Sequence, residues 1–351
     1  MLPLPTGGGR GAVVEALDPS QPLERDDVAL VVPTSGSTGE PKGAMLTAAA
    51  LQHSARATHD RLGGPGQWLL ALPVTHVAGL TVLVRSLEAR TRPEVLDLYG
   101  GFSVEAFVAA TARLHPGVRH YTSLVPTQLR RLLDAGADLS SYDAVLVGGA
   151  ALSPTLHDAA AAAGVRVVTT YGMSETCGGC VYDGEPLDGV TVRLRDDGRV
   201  ELGGQVVFVG YRLRPDLTAA ALVDGWHVTQ DLGRRGSDGR LEVLGRADDV
   251  VVSGGVNVPA AMVERVLVGH PGVARCAVIG RPDPEWGERV VAVVQPTDWS
   301  DAPDVEELRT FAADALEPAA LPREVVLLGL LPVLSSGKPD KSALRSLMRN
   351  G

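Results

Sequence analysis

From Val28 to Gly172 short apolar runs alternate with helical stretches, and this rhythm constrains the fold more than any other feature. "VALVV" (28–32), "WLLAL" (68–72), "VRHYT" (118–122), "DAVLVGG" (143–149) and "VRVVTTYG" (165–172) read as strands. Helices are expected from near Thr47, up to about Glu88, over "PTQLRRLLDAG" and over "SPTLHDAAAAAG". In the last of these Ser153 is a candidate N-cap and Pro154 a first-turn residue. Such alternation implies an α/β layer with a mainly parallel sheet, whose ligands gather at the carboxyl ends of the strands.

The first strand runs into "VVPTSGSTGEPKG", Val31 to Gly43, a glycine-rich loop that ends in a lysine. Set against the Walker A pattern from Gly36, the second glycine is replaced by Pro41, which has no N–H, and Gly43 stands where a hydroxyl should hold magnesium. A P-loop kinase or ATPase is therefore a poor fit. What remains is a loop rich in hydroxyls and backbone donors, able to wrap nucleotide phosphates. An ordinary polar turn would read the same, so the rest of the chain has to decide.

Net charge is −10 at pH 7, which argues against nucleic-acid and anionic-membrane binding. An anionic ligand would then be held by local donors. No apolar run is long enough to span a bilayer, and "MLPLPTGGGR" lacks the basic and apolar regions of a signal peptide. A soluble, cytoplasmic protein is the expectation. Cys177, Cys180 and Cys276 are the only cysteines, a usage that fits a reducing compartment. Cys177 and Cys180 have redox-pair spacing, but no second pair exists to complete a zinc site.

Residues 1–24 are Pro/Gly-rich and read as a loosely ordered lead-in. After about Gly184 the pattern turns to short strands, "VTVRLRDDGRVEL", "VVFVGYRL" and "GRLEVLG", with hairpin signals at Asp197-Gly198 and Asp238-Gly239. Near Asp248 it changes again, to "PAAMVERVLVGHPGV" as a helix, "ARCAVIG" and "ERVVAVVQP" as strands, "VEELRTFAADAL" as a helix and "EVVLLG" as a strand. Two domains are expected: a large one over 1–247 with a β-rich end portion, and a small α+β one over 248–351.

Two further segments carry chemistry. "TTYGMSET", Thr169 to Thr176, ends a strand with Tyr171 to stack on a base, Ser174 to donate to phosphate and Glu175 to hold magnesium. "HVTQDLG" offers Asp231 to ribose hydroxyls, although a lone aspartate there is more often a turn former. Taken in order, "TSGSTGEPKG", "YGMSE", "TQD", "GRADDVVVSGG" and "SSGKPDK" resemble the signature set of the adenylate-forming acyl-CoA synthetase superfamily, over nearly the whole chain from Val28.

Within that superfamily, "LPVTHVAGLTVLVRSL", "SLVPTQLRRLL" and "YGMSETCGGCVYDGEPLDGV" resemble the o-succinylbenzoate–CoA ligases of menaquinone biosynthesis, in their short actinobacterial form. The glycine-rich loop starts near residue 34, where most relatives have a long preceding region, so the resemblance implies an N-terminally shortened large domain. Ser174 replaces the usual threonine, and Gln230 replaces the glycine before Asp231.

The resemblance implies ATP, Mg2+ and coenzyme A as cofactor and co-substrates beside a small carboxylic acid, and is compatible with a homo-oligomer. A carboxylate would attack the α-phosphorus of ATP, and CoA would then displace AMP. Thr34, Ser35, Gly36, Ser37, Thr38, Gly39 and Lys42 would hold the phosphates, and Gly149, Ala150, Ala151, Tyr171 and Gly172 the adenine. Asp231 and Arg246 would take the ribose, and Glu175 the magnesium, with Ser174 beside it. Lys338 would bridge the carboxylate and the α-phosphate, Asp248 would be the hinge, and Gly254 and Gly255 would flank the pantetheine.

For the second carboxylate of the acid the candidate is Arg85, with His76 nearby and Ser123, Gln128, Gly178 and Gly179 lining the pocket. If the segment from Val77 to Leu87 is helical, His76 has to precede it, because nine residues place the two about 180° apart. Three alternatives stay open: ligation of another aromatic or fatty acid, a carrier-loading adenylation module, and an inactive paralogue that only binds.

Overall fold

A computed structural model describes residues 10–35, 41–333 and 339–348. The chain opens with α1 (Arg10–Leu17), then the strands β1 (Val28–Ser35) and β2 (Pro41–Thr47), which pair antiparallel. The lead-in is therefore helical from Arg10 on. Val13 and Leu17 pack on Val28, Val31 and Met45. The buried guanidinium of Arg212 fixes the following turn by donating to the carbonyls of Leu17, Asp18, Gln21 and Pro22 and to Glu24. Its composition looked loose because the residue that orders it lies far away in the sequence.

Thr47 then caps α2 (Ala48–Leu62), accepting the N–H of Ala50 on Oγ1. The chain continues through β3 (Gln67–Leu70), α3 (Val77–Glu88), β4 (Glu94–Val95) and α4 (Val104–Thr111). Next come β5 (His120–Leu124), α5 (Pro126–Asp134), β6 (Ala144–Val147), α6 (Pro154–Ala162) and β7 (Val167–Met173). With β8 (Gly178–Tyr182) and β9 (Glu185–Pro186) these strands form one sheet in the order β4-β3-β5-β6-β7-β8-β9, parallel up to β7 and antiparallel beyond.

Both faces of this sheet are covered, which is why its strands read as continuous apolar runs. Trp68, Leu70, Tyr121, Leu146 and Tyr182 face Ala57 and Leu62 of α2 and Val82 of α3. Leu69, Leu124, Val145 and Val147 face Phe107 of α4, Leu129 of α5 and Leu156 of α6. Phe107 and Leu129 are fully buried, each contributing roughly 1.5–3 kcal/mol.

A second sheet follows from β10 (Val190–Leu194), β11 (Arg199–Gly204), α7 (Pro215–Ala221), β12 (Leu222–Val223), β13 (Trp226–Arg235) and β14 (Leu241–Arg246). Its order is β10-β11-β13-β12, with β14 also on β13. "VVFVGYRL", read as a strand, is irregular. It runs beside β2 instead, with Val209 N donating to Met45 O at 3.0 Å and Met45 N to Gly210 O at 2.9 Å.

The remaining elements are β15 (Val250–Ser253), β16 (Val256–Pro259), α8 (Ala260–Leu267), β17 (Val273–Asp283), β18 (Gly287–Pro296), α9 (Val305–Ala312), β19 (Glu324–Leu327) and α10 (Lys341–Leu347). The strands form a sheet in the order β16-β15-β18-β17, with β19 parallel to β18. Among the described residues, no hydrophobic cluster draws on both sides of residue 248. No helix is long and apolar enough to cross a membrane.

Candidate active site

The glycine-rich segment joins two antiparallel strands. The ladder runs to Thr34 opposite Lys42 and Ser35 opposite Pro41, so residues 36–40 connect the arms of a hairpin. A Walker A loop leads from a strand into a helix, which separates the two geometries. Gly36, Ser37, Thr38, Gly39 and Lys338 lie outside the described residues.

Lys42 reaches across to the end of β7. Its Nζ donates to Tyr211 Oη at 2.7 Å and lies 3.5 Å from Glu175 Oε1, and the Tyr211 hydroxyl donates to the same oxygen at 2.5 Å. Burial and the Glu175 charge together push the Tyr211 hydroxyl well above the usual phenol range, so it stays a donor. Glu175 is buried on a short 3-10 turn, Ser174–Thr176, anchored by Thr176 Oγ1 donating to Gly178 O at 2.8 Å. Tyr211 was missed by sequence reading; a tyrosine in an aliphatic run gave no sign of a polar role.

Magnesium bound with a nucleotide takes one or two carboxylates and fills its other positions with phosphate oxygens and water. A single buried Glu175 beside Lys42 fits that demand. Among the described residues, no cluster of three or more His, Cys, Asp or Glu could form an all-protein cage.

On the same strand, β7, Tyr171 Oη donates to Asp231 Oδ2 at 2.8 Å. Burial and this carboxylate raise the Tyr171 pKa well above normal. Asp231 on β13 lies opposite Arg246 on β14, whose Nη1 is 3.8 Å from Asp231 Oδ1. The same guanidinium donates from Nε and Nη2 to Asp248, both at 2.7 Å, so the two ribose candidates and the hinge candidate form one network. Gly172 packs so closely that a Cβ there would lie 2.1 Å from Gly178 O. Gly149, Ala150 and Ala151 are exposed past the end of β6.

Arg85 is buried on α3, where Nη2 donates to Tyr182 Oη at 3.2 Å and the guanidinium lies 5.0 Å from the centre of the Trp68 ring. Its Nε has no partner, and Arg85 forms no ion pair among the described residues. Ser123 is buried on β5 with an unpartnered Oγ. By strand alternation it faces the α3 side, as Tyr121 does. Two orphaned polar atoms thus lie in one layer between helix and sheet. Gly178 completes the close approach: a Cβ there would meet Thr81 of α3 at 3.3 Å, and one at Gly179 would meet Thr170 at 3.0 Å.

His76 is exposed and precedes α3 as its N-cap residue, as the helical spacing requires, while Arg85 lies nine residues on, roughly 13 Å along the axis at 1.5 Å per residue. Gln128 accepts from Val125 N at 3.0 Å and donates to Ala71 O at 2.9 Å, so its amide closes the first turn of α5.

Gly254 and Gly255 form the two-residue turn between β15 and β16, with φ of +60° and +78°. Positive φ at both positions defines a type I′ hairpin turn, which glycine accepts without strain. Asp249, next to the hinge candidate, pairs with Lys341, which also contacts Glu264 Oε1 at 2.7 Å. Cys177 and Cys180 are free and buried. Burial pushes the Cys180 thiol up to about 12 and that of Cys177 higher still, which removes the thiolate that redox chemistry needs.

The fold and its strand-end constellation place the chain among the adenylate-forming enzymes: it belongs to the AMP-binding enzyme family, matched over residues 6–213, with the family's C-terminal domain matched over 262–338. The family makes it an AMP-binding acyl-CoA ligase. It is 51% identical over 326 residues to a probable 2-succinylbenzoate–CoA ligase of Mycobacterium tuberculosis, covering 91% of this chain and 84% of the relative. A feruloyl-CoA synthase of Amycolatopsis is 34% identical over 357 residues, 93% of this chain and 71% of that protein. Among solved structures, the o-succinylbenzoate CoA synthetase of Bacillus subtilis in complex with its acyl-adenylate superimposes with a TM-score of 0.81 at 29% identity, covering 92% of this chain and 70% of that one. The same enzyme with ATP and magnesium gives 0.80, also at 29%.

Proposed function

We propose that the chain is an o-succinylbenzoate–CoA ligase, which activates the acid with ATP, releases pyrophosphate and transfers the acyl group to CoA with release of AMP. The 51% identical relative and the Bacillus subtilis enzyme support this reading. The observation that carries the choice of acid is Arg85, a buried guanidinium with an orphaned Nε and no acidic partner among the described residues, with the orphaned hydroxyl of Ser123 on the sheet face that α3 covers. A buried charge without a counter-ion is costly, and a ligand's second carboxylate would supply one.

In this reading the hairpin tip from Thr34 to Lys42 holds the β- and γ-phosphates through backbone and hydroxyl donors. Tyr171, Gly172 and the exposed run 149–151 flank the adenine, and Asp231 and Arg246 hold the ribose. Glu175 would hold the magnesium that accompanies ATP, which would supply positive charge where two anions meet. Lys338 places its ammonium between the attacking carboxylate and the α-phosphate, where negative charge builds. The boundary between the two domains lies at 247–248. Rotation about Asp248 exchanges Lys338 for the Gly254-Gly255 turn beside the adenylate. ATP and CoA as substrates, with three free cysteines, suit the cytoplasm.

A panel of acids including o-succinylbenzoate, ferulate and medium-chain fatty acids tests the assignment by CoA-dependent AMP release. o-Succinylbenzoate should be preferred, and Arg85→Ala should lower kcat/KM for it by roughly tenfold to a hundredfold while the KM for ATP stays unchanged. ADP as the main product would remove the class of reaction. Equal use of a monocarboxylate, or an indifferent Arg85→Ala, would remove the substrate.

A further inference from the structure

Lys42, Tyr211 and Glu175 stand in a row whose spacing is set by the tyrosine. Tyr211 Oη accepts from Lys42 Nζ at 2.7 Å and donates to Glu175 Oε1 at 2.5 Å, leaving ammonium and carboxylate 3.5 Å apart. A direct contact between such groups closes to about 2.7–2.9 Å. The other described lysine, Lys341, does close on its acid, at 2.7 Å from Glu264 Oε1. The Lys42–Glu175 pair is held open.

The wedge is firmly seated. Tyr211 is 4% exposed and meets Phe208 edge-on, ring centres 4.8 Å apart. The backbone N–H of Phe208 donates to the carbonyl of Glu175 at 2.8 Å, which ties the tyrosine's segment to the turn bearing the carboxylate. Lys42 Nζ also rides 4.0 Å above the centre of the Tyr211 ring, so the ammonium is held by the ring face and hydroxyl together.

We propose that Tyr211 is a positioning residue whose hydroxyl spaces Lys42 from Glu175, keeping the carboxylate open to the divalent cation that accompanies ATP and the ammonium free to turn to phosphate. This rests on the ATP-dependent reading above. Without the hydroxyl, Lys42 and Glu175 close into a direct pair that a cation has to break. With it, Glu175 stays neutralised while no nucleotide is bound, and gives up only a loose partner when one is.

The test measures ATP binding at equilibrium by calorimetry, without acid substrate, in excess Mn2+ and again in EDTA; the readout is the Kd in EDTA divided by the Kd in Mn2+. Tyr211→Phe keeps the ring and should lower that ratio by about tenfold or more. Adding Lys42→Met to Tyr211→Phe removes the competing ammonium and should restore the ratio. A ratio within about twofold of wild type in Tyr211→Phe overturns the proposal, and so does a double variant as low as the single one. If Tyr211→Phe does not fold, Lys42→Arg, whose longer head spans the gap, should lower the ratio, and an unchanged ratio overturns the proposal. A wild-type chain that binds no ATP with or without Mn2+ overturns the ATP-dependent reading, and this proposal with it.

Discussion

His59 shows how one buried side chain sets the chain's response to acid. Its Nε2 accepts the indole N–H of Trp68 at 3.2 Å, and its ring lies 6.5 Å from that of Tyr121. Burial first, and then the charge of Arg85, lower its pKa from 6.5 to about 4. The folded value is below the unfolded one, so on acidification the unfolded chain takes up the proton first. The stabilisation is complete above pH 6.5 and is lost as pH falls toward 4, by up to about 3 kcal/mol. Chemical denaturation should therefore show a steeper loss over that window in wild type than in His59→Gln; parallel curves would assign the acid response elsewhere. Arg85 was singled out only through the resemblance to the o-succinylbenzoate–CoA ligases, as a candidate for the second carboxylate. Tyr182 and Trp68, which hold its guanidinium, looked like ordinary core residues because their polar atoms find partners only across the sheet.

The parallel strands β3, β5 and β6 were legible because they are buried on both faces. β2 was not: "PKGAMLT" follows a glycine-rich stretch and precedes a strong N-cap, so local signals pointed to loop and then helix. Its pairing with β1 is non-local information. The irregular 206–213 segment failed in the opposite sense: burial alternates over 206–210 as in a strand, yet Val206 packs in one core and Phe208 and Tyr211 in another. The Gly254-Gly255 turn was legible as glycines and gains its geometry here. A Cβ at Gly254 would lie 2.9 Å from the Trp286 ring, at a φ of +60°, adding about 1–3 kcal/mol of strain. Gly254→Ala should slow CoA-dependent thioester formation while leaving acid-dependent pyrophosphate exchange intact. Loss of both together would mark the turn as structural.

For the whole molecule, the cores before and after residue 248 are separate, and the two proposed half-reactions should then be separable by mutation. Lys338→Ala should cut acid-dependent pyrophosphate exchange by about 10²–10³, yet make thioester from presynthesised acyl-adenylate and CoA at nearly the wild-type rate. Equal loss in both assays would give Lys338 a general structural role, and equal retention would leave it a solvated lysine. Domain order and motif order were written in the sequence; what covers what was not. The second edge of β2 is closed by residues 209–212, through bonds from Val209 to Met45 and from Met45 to Gly210. A ribosome adding about 5–20 residues per second needs on the order of ten to thirty seconds to get from that strand to its cover. Throughout that interval the nascent hairpin presents an unpaired edge to other chains. The hairpin that bears Lys42 is thus made well before the segment that protects it, and its bare edge is a hazard of synthesis that the finished fold does not show.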